Sequence, residues 1–145
     1  HPTFYAYVLS NGDRDRVAIP LSVAARLEEF PREKIERAGQ KDVVQYRDQI
    51  LPLIRVSDIL QTAPSTTATS GEAPMQVVVY TEQGRSIGLV VDSINDIVET
   101  AFTLQHQNST AGLLGSTVVQ GKVTDVLDVR AVIKAAGTGF FQTAT

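Results

Sequence analysis

The chain has 145 residues, 43% of them hydrophobic and 20% charged, with a formal net charge of −3 and no cysteine. That is one domain's worth of ordinary globular composition, with room for two sub-units of similar size. The acidic balance and the lack of a basic stripe argue against nucleic acid as a partner, no apolar run suits direct membrane insertion, and without thiols there is neither a disulfide nor a thiolate metal site.

Taken in order, Phe4–Ser10 and Arg16–Leu21 are β-prone and are joined by the hairpin signal Asn11-Gly12-Asp13. Ser22–Phe30 fits a third strand or a short helix, because Val23, Arg26, Leu27 and Phe30 also have helical spacing; analogy with the second half favours the strand. Pro31 breaks it, and Glu33–Arg37 reads as a short charged strand that ends in a turn at Ala38-Gly39. Val43–Arg47 and Gln49–Ile54 form a hairpin about Arg47-Asp48, where Pro52 argues for a sheet edge or a bulge. Gln61–Pro74 is small, polar and aperiodic, and is expected to be a mobile connector.

The second half opens with Met75–Thr81, turns at Glu82-Gln83-Gly84 and continues as Arg85–Val91. Asp92–Thr100 alternates less cleanly, and Leu104–Ala111 is polar and irregular. Leu113–Val119 and Lys122–Leu127 make the last hairpin, around Gln120-Gly121. Asp128 then caps a helix that buries Val129, Val132, Ile133 and Ala136 and stops at Gly137. The pattern predicts about ten short strands in two small β-barrels, all-β but for this one short C-terminal helix. The first barrel covers residues 3–60, the linker 61–74, the second barrel 75–127 and the helix 128–136.

The halves are similar to each other. Slid about seventy residues along the chain, the stretch Arg47–Leu60 lies, from Asp48 onward, on Gly121–Ile133 without a gap. Ile50, Leu53, Ile54, Val56, Ile59 and Leu60 then meet Val123, Val126, Leu127, Val129, Val132 and Ile133, and Asp48 falls on the turn residue Gly121. Val17–Leu21 and Ile87–Val91 share one alternation at nearly the same separation, preceded by the β-prone runs Phe4–Leu9 and Gln76–Tyr80. One small unit is built twice. Each copy alone would be marginal, so the halves are expected to share an apolar interface.

No catalytic constellation is visible: glycines sit singly at turns rather than in phosphate-loop spacing, and no serine has a nucleophile-elbow context. His106 lies in a polar loop without a second metal-type residue at ligand spacing, and Asp92, Asp96 and Glu99 read as a solvated strand face. Catalytic, cofactor-binding and metal residues are therefore expected to be none, and the residues point to a binding or scaffolding module.

Arg16-Val-Ala-Ile-Pro-Leu21, Val44-Gln-Tyr-Arg47 and Ile50-Leu-Pro-Leu-Ile-Arg55 resemble the first half of the CheW-like domain of bacterial chemotaxis. Gly84-Arg-Ser-Ile-Gly-Leu-Val-Val-Asp92 and Gly121-Lys-Val-Thr-Asp-Val-Leu-Asp128 resemble its second half. The resemblance implies two five-stranded SH3-like β-barrels. It further implies a regulatory or scaffold domain of a CheA-type histidine kinase, docking to a CheW-type adaptor and to the cytoplasmic tip of a chemoreceptor, with the kinase chemistry outside this chain. The alternative is a free-standing CheW adaptor. Leu51-Pro-Leu-Ile-Arg55 is similar to the kinase version, since adaptors usually carry an acidic residue at the position of Arg55, and Gln45-Tyr46 replaces the adaptors' Asn-Leu. The start at His1, without an initiator methionine, fits a piece of a longer protein. A cytoplasmic location at membrane-associated receptor arrays follows from the same resemblance. Asp48 departs from the glycine that usually follows Arg47, and Gln120 from the Asp frequent in kinase domains.

Along Val43–Arg47 the strand alternates faces. Val44 and Tyr46 make the better core pair, which leaves Val43, Gln45, Arg47 and the turn residue Asp48 outward as the expected partner-binding set.

Overall fold

Three two-residue turns with left-handed backbone set the strand registers. Arg47 and Asp48 have φ of 50° and 64°, Gln83 and Gly84 53° and 77°, and Gln120 and Gly121 55° and 74°. Positive φ at both central residues is the hairpin geometry whose twist matches that of the flanking strands. The computed structural model describes residues 3–11, 15–21, 25–39, 41–56, 58, 73–91, 94–101, 106–107 and 112–135.

These residues build twelve strands in chain order: β1 Thr3–Asn11, β2 Asp15–Leu21, β3 Ala25–Phe30, β4 Glu36–Ala38, β5 Lys41–Tyr46, β6 Gln49–Arg55, β7 Met75–Glu82, β8 Arg85–Val91, β9 Ile94–Ala101, β10 His106–Gln107, β11 Leu113–Val119 and β12 Lys122–Leu127. The helix α1 spans Val129–Ala135. As expected, the Asp128 carboxylate caps it by accepting from the Ala131 N–H at 3.0 Å. Ala136 and Gly137 lie outside the described residues, as do 61–72 of the expected connector.

The strands form two six-stranded sheets, ordered β10-β11-β12-β2-β1-β9 and β4-β5-β6-β8-β7-β3. The two orders are one topology, each strand of the first half matching the strand six places later. One edge strand of each sheet is short, three residues in β4 and two in β10. The mostly-β chain is consistent with two SH3-like barrels.

The sheets do not divide where the sequence reading divides the chain. β1–β2 lies between β9 and β12 of the second half, and β7–β8 lies between β3 and β6 of the first. Each half of the chain therefore contributes one hairpin to the sheet of the other, a reciprocal exchange. The exchange keeps equivalent registers. In the parallel pair β6–β8, Leu53 lies opposite Gly88; in the parallel pair β12–β2, Val126 lies opposite Ala18.

One core joins the two sheets. Val17, Ile19 and Leu127 from the first sheet meet Ile54, Val78, Tyr80, Ile87, Leu89 and Val91 from the second, under Val132 and Ile133 of α1. The expected apolar interface between the halves is this core. Tyr80 also donates its hydroxyl across it to the Pro20 carbonyl at 2.7 Å. A second cluster, with Val44, Leu51, Leu53, Met75, Val77, Val79 and Val90, fills the second sheet's own interior.

Three local expectations change. Arg32–Lys34 is a 3₁₀ turn, closed by Lys34 N–H to Pro31 O and Ile35 N–H to Arg32 O, so the charged strand starts only at Glu36. The loop expected over Leu104–Ala111 contains β10. Pro52 is neither at an edge nor in a bulge: it ends the β5 ladder opposite Val43, and the next residue, Leu53, begins the β8 ladder. The imide therefore sits where β6 changes neighbours, and its missing N–H interrupts neither run.

Candidate partner-binding surface

The β5–β6 hairpin carries the expected set. Val44 is 1% exposed, in the core, and Gln45, Arg47 and Asp48 are exposed. Val43 is half-buried opposite Pro52, so it borders the surface rather than standing on it.

Tyr46 is half-buried rather than a full core residue. Its ring meets Phe30 edge-on at 5.9 Å and 86°, and its hydroxyl donates to the Glu28 carboxylate at 2.6 Å. Burial, and then the hydrogen bond and charge of Glu28, push the phenol above its ordinary value of 10.0, against a smaller pull from Arg47 and Arg26. The Arg47 guanidinium stands 5.2 Å from the centroid of the same ring, at cation–π distance. The hairpin turn, β3 and β5 are thereby tied together at one corner, and Arg47 is presented on an aromatic base instead of hanging free.

Gln45 also lines an open cleft of about 400 Å³ with Glu33, Lys34, Glu36 and Val44, a lining of mixed charge. Behind the hairpin, Asp42 lies 3.5 Å from Arg55 and 3.8 Å from Arg37. Among the described residues no group of three or more His, Asp or Glu could hold a metal ion. Of the candidates set aside as structural, Asp92 and the side chains of Asp96, Glu99 and His106 fall outside the described residues.

Among the described residues, the sequence reading missed several exposed apolar side chains. Ile50, paired with Gln45 across the hairpin, is 68% exposed, and its counterpart Val123 in the second copy is 73% exposed. Val123 pairs with Val118, itself exposed, and Leu114 stands out on the same strand at a register shift in the β11–β12 ladder. Part of the signal was present: Leu114 and Val118 are out of phase with the inward Gly115, Thr117 and Val119. Ile50 and Val123 are out of phase with the nearest inward positions, Leu51 and Leu53 or Thr124 and Val126. The Arg16 side chain holds this second hairpin, donating to Thr124 Oγ1, the Val119 carbonyl and Gln120 Oε1 at 3.3, 3.2 and 2.9 Å.

The model of the CheW-like domain family matches residues 7–137. The chain is 30% identical over 123 residues to the sensor histidine kinase CheAY of Helicobacter pylori, covering 82% of this chain and 15% of the kinase. The fold is similar to that of the scaffolding protein TtCheW from Thermoanaerobacter tengcongensis, with a TM-score of 0.61 at 15% identity over 89% of this chain and 87% of that one.

Proposed function

This chain belongs to the CheW-like domain family, and on that premise we propose that it is the non-catalytic regulatory domain of a CheA-type chemotaxis histidine kinase. It docks to a CheW-type adaptor and to the cytoplasmic tip of a chemoreceptor, within cytoplasmic arrays beneath the membrane. The observation that carries the kinase reading is the 30% identity to a sensor histidine kinase across most of this chain. The face offered to a partner is the outward side of the β5–β6 hairpin: Gln45, Arg47 and Asp48, flanked by Val43 and completed by Ile50. Exposed apolar surface beside an arginine seated on an aromatic ring has the composition of an interface centre. Signalling through such a domain is a coupling free energy: receptor state shifts a population of kinase arrangements, with no chemistry performed here.

The second reading, a free-standing adaptor, is favoured by the likeness of fold to a scaffolding protein that the chain covers nearly end to end. Titration separates the two. A kinase regulatory domain binds a CheW-type adaptor, whereas an adaptor binds the CheW-like domain of a CheA kinase. Micromolar binding to the adaptor supports the first reading; binding to the kinase domain alone replaces it with the second. In either case ATP is expected to show no saturable binding at micromolar concentration.

A further inference from the structure

We propose that the two halves of this chain are mutual binding partners, so that the folded particle survives when the connector between them is cut. Among the described residues, β1–β2 pairs with no other strand of its own half; its neighbours are β9 and β12. Likewise β7–β8 pairs only with β3 and β6. Each half thus gives a whole hairpin to the other and receives the equivalent one. This is the geometry of an exchanged dimer, here closed within a single chain.

The contact is also chemically that of an obligate pair. Val17, Ile19, Ile54 and Val56 of the first half are buried with Val78, Ile87, Leu89, Leu127 and others of the second, as in a domain core divided in two. Directed hydrogen bonds cross the same boundary: Tyr80 to Pro20, Arg16 to the Gln120 turn, Gln49 to the Gly84 carbonyl and Arg32 to the Ala73 carbonyl. Removing either half would strip the other of its central strands and leave β3 and β6, or β9 and β12, with unpaired edges. The tether contributes effective concentration; the strands and the shared core supply the affinity.

The test replaces Thr66–Ser70 in the full chain with a protease recognition sequence and cleaves the folded protein to completion. Expected is a cut protein that elutes with the mass of the intact chain by light scattering. Its melting temperature should now rise with protein concentration, a dependence the uncut chain lacks. Elution of the two halves as separate species at micromolar concentration, or precipitation of either on cleavage, overturns the proposal.

Discussion

Gly88 lies opposite Leu53 with no room for a side chain: a Cβ on Gly88 would come within 2.9 Å of Leu53 Cδ2 and 2.6 Å of Val77 Cγ1. This close approach is where the exchanged β8 meets β6. Val77 and Leu53 are both in the core and cannot swing into solvent. Gly88→Ala is therefore expected to cost about 1–3 kcal/mol through overpacking, read as a lower urea midpoint with an unchanged slope. Unchanged stability would mean that the two strands separate easily.

The turn at Asp48 predicts the opposite sign. A non-glycine residue at φ 64° carries a conformational cost, which aspartate bears better than most residues but not as well as glycine. Asp48→Gly is expected to stabilise by about 0.5–1 kcal/mol and to raise the melting temperature, while Gly121→Asp at the equivalent turn lowers it.

Much of this architecture was legible in the residues. The alternation located the hairpins, and the matching of Leu53 with Val126 and of Ala18 with Gly88 holds in the paired registers. What alternation does not record is which strand lies alongside which. The exchange of β1–β2 and β7–β8 is decided by long-range pairing and shared burial, to which local periodicity is blind. The coincidence of Ile50 with Val123 marks an outward position that is apolar in both copies, which the matching alone does not distinguish from a core position. Tyr46 fell between the two classes, since an aromatic ring with a hydroxyl is half interior and half surface.

Tyr46 supplies a pH dependence. Its folded pKa is raised above 10.0, so the folded state holds the phenolic proton more tightly than the unfolded chain does. The stabilisation is fully present below pH 10.0 and is lost as pH rises through the raised value. Tyr46→Phe should cost about 1 kcal/mol near neutrality, for one charge-assisted hydrogen bond at a partly exposed site. It should also flatten the decline in stability above pH 10.0 that the parent shows. Equal decline in both proteins would remove the Glu28 hydrogen bond from the account.

Connector length is expected to matter little. Arg55 lies opposite Val90 on β8, which lies opposite Val77 on β7, so β6 ends two strands away from where β7 begins, about 10 Å at ordinary strand spacing. Deleting Thr66–Ser70 leaves ample chain for that span at roughly 3.3 Å per residue. Closure entropy changes only by a few tenths of a kcal/mol, and urea unfolding should show no larger loss.

The most direct measurement is calorimetric titration of a CheW-type adaptor with the parent domain, Arg47→Glu and Ile50→Glu, each also melted thermally. Ile50 is 68% exposed and Arg47 is exposed, 5.2 Å from the Tyr46 ring centroid, so both variants are expected to fold and to melt within a few degrees of the parent. If the outward side of the β5–β6 hairpin is the centre of the docking surface, each substitution weakens binding by roughly thirtyfold, about 2 kcal/mol. Parental affinity in both variants, with the fold intact, would place the adaptor on another face and contradict the account.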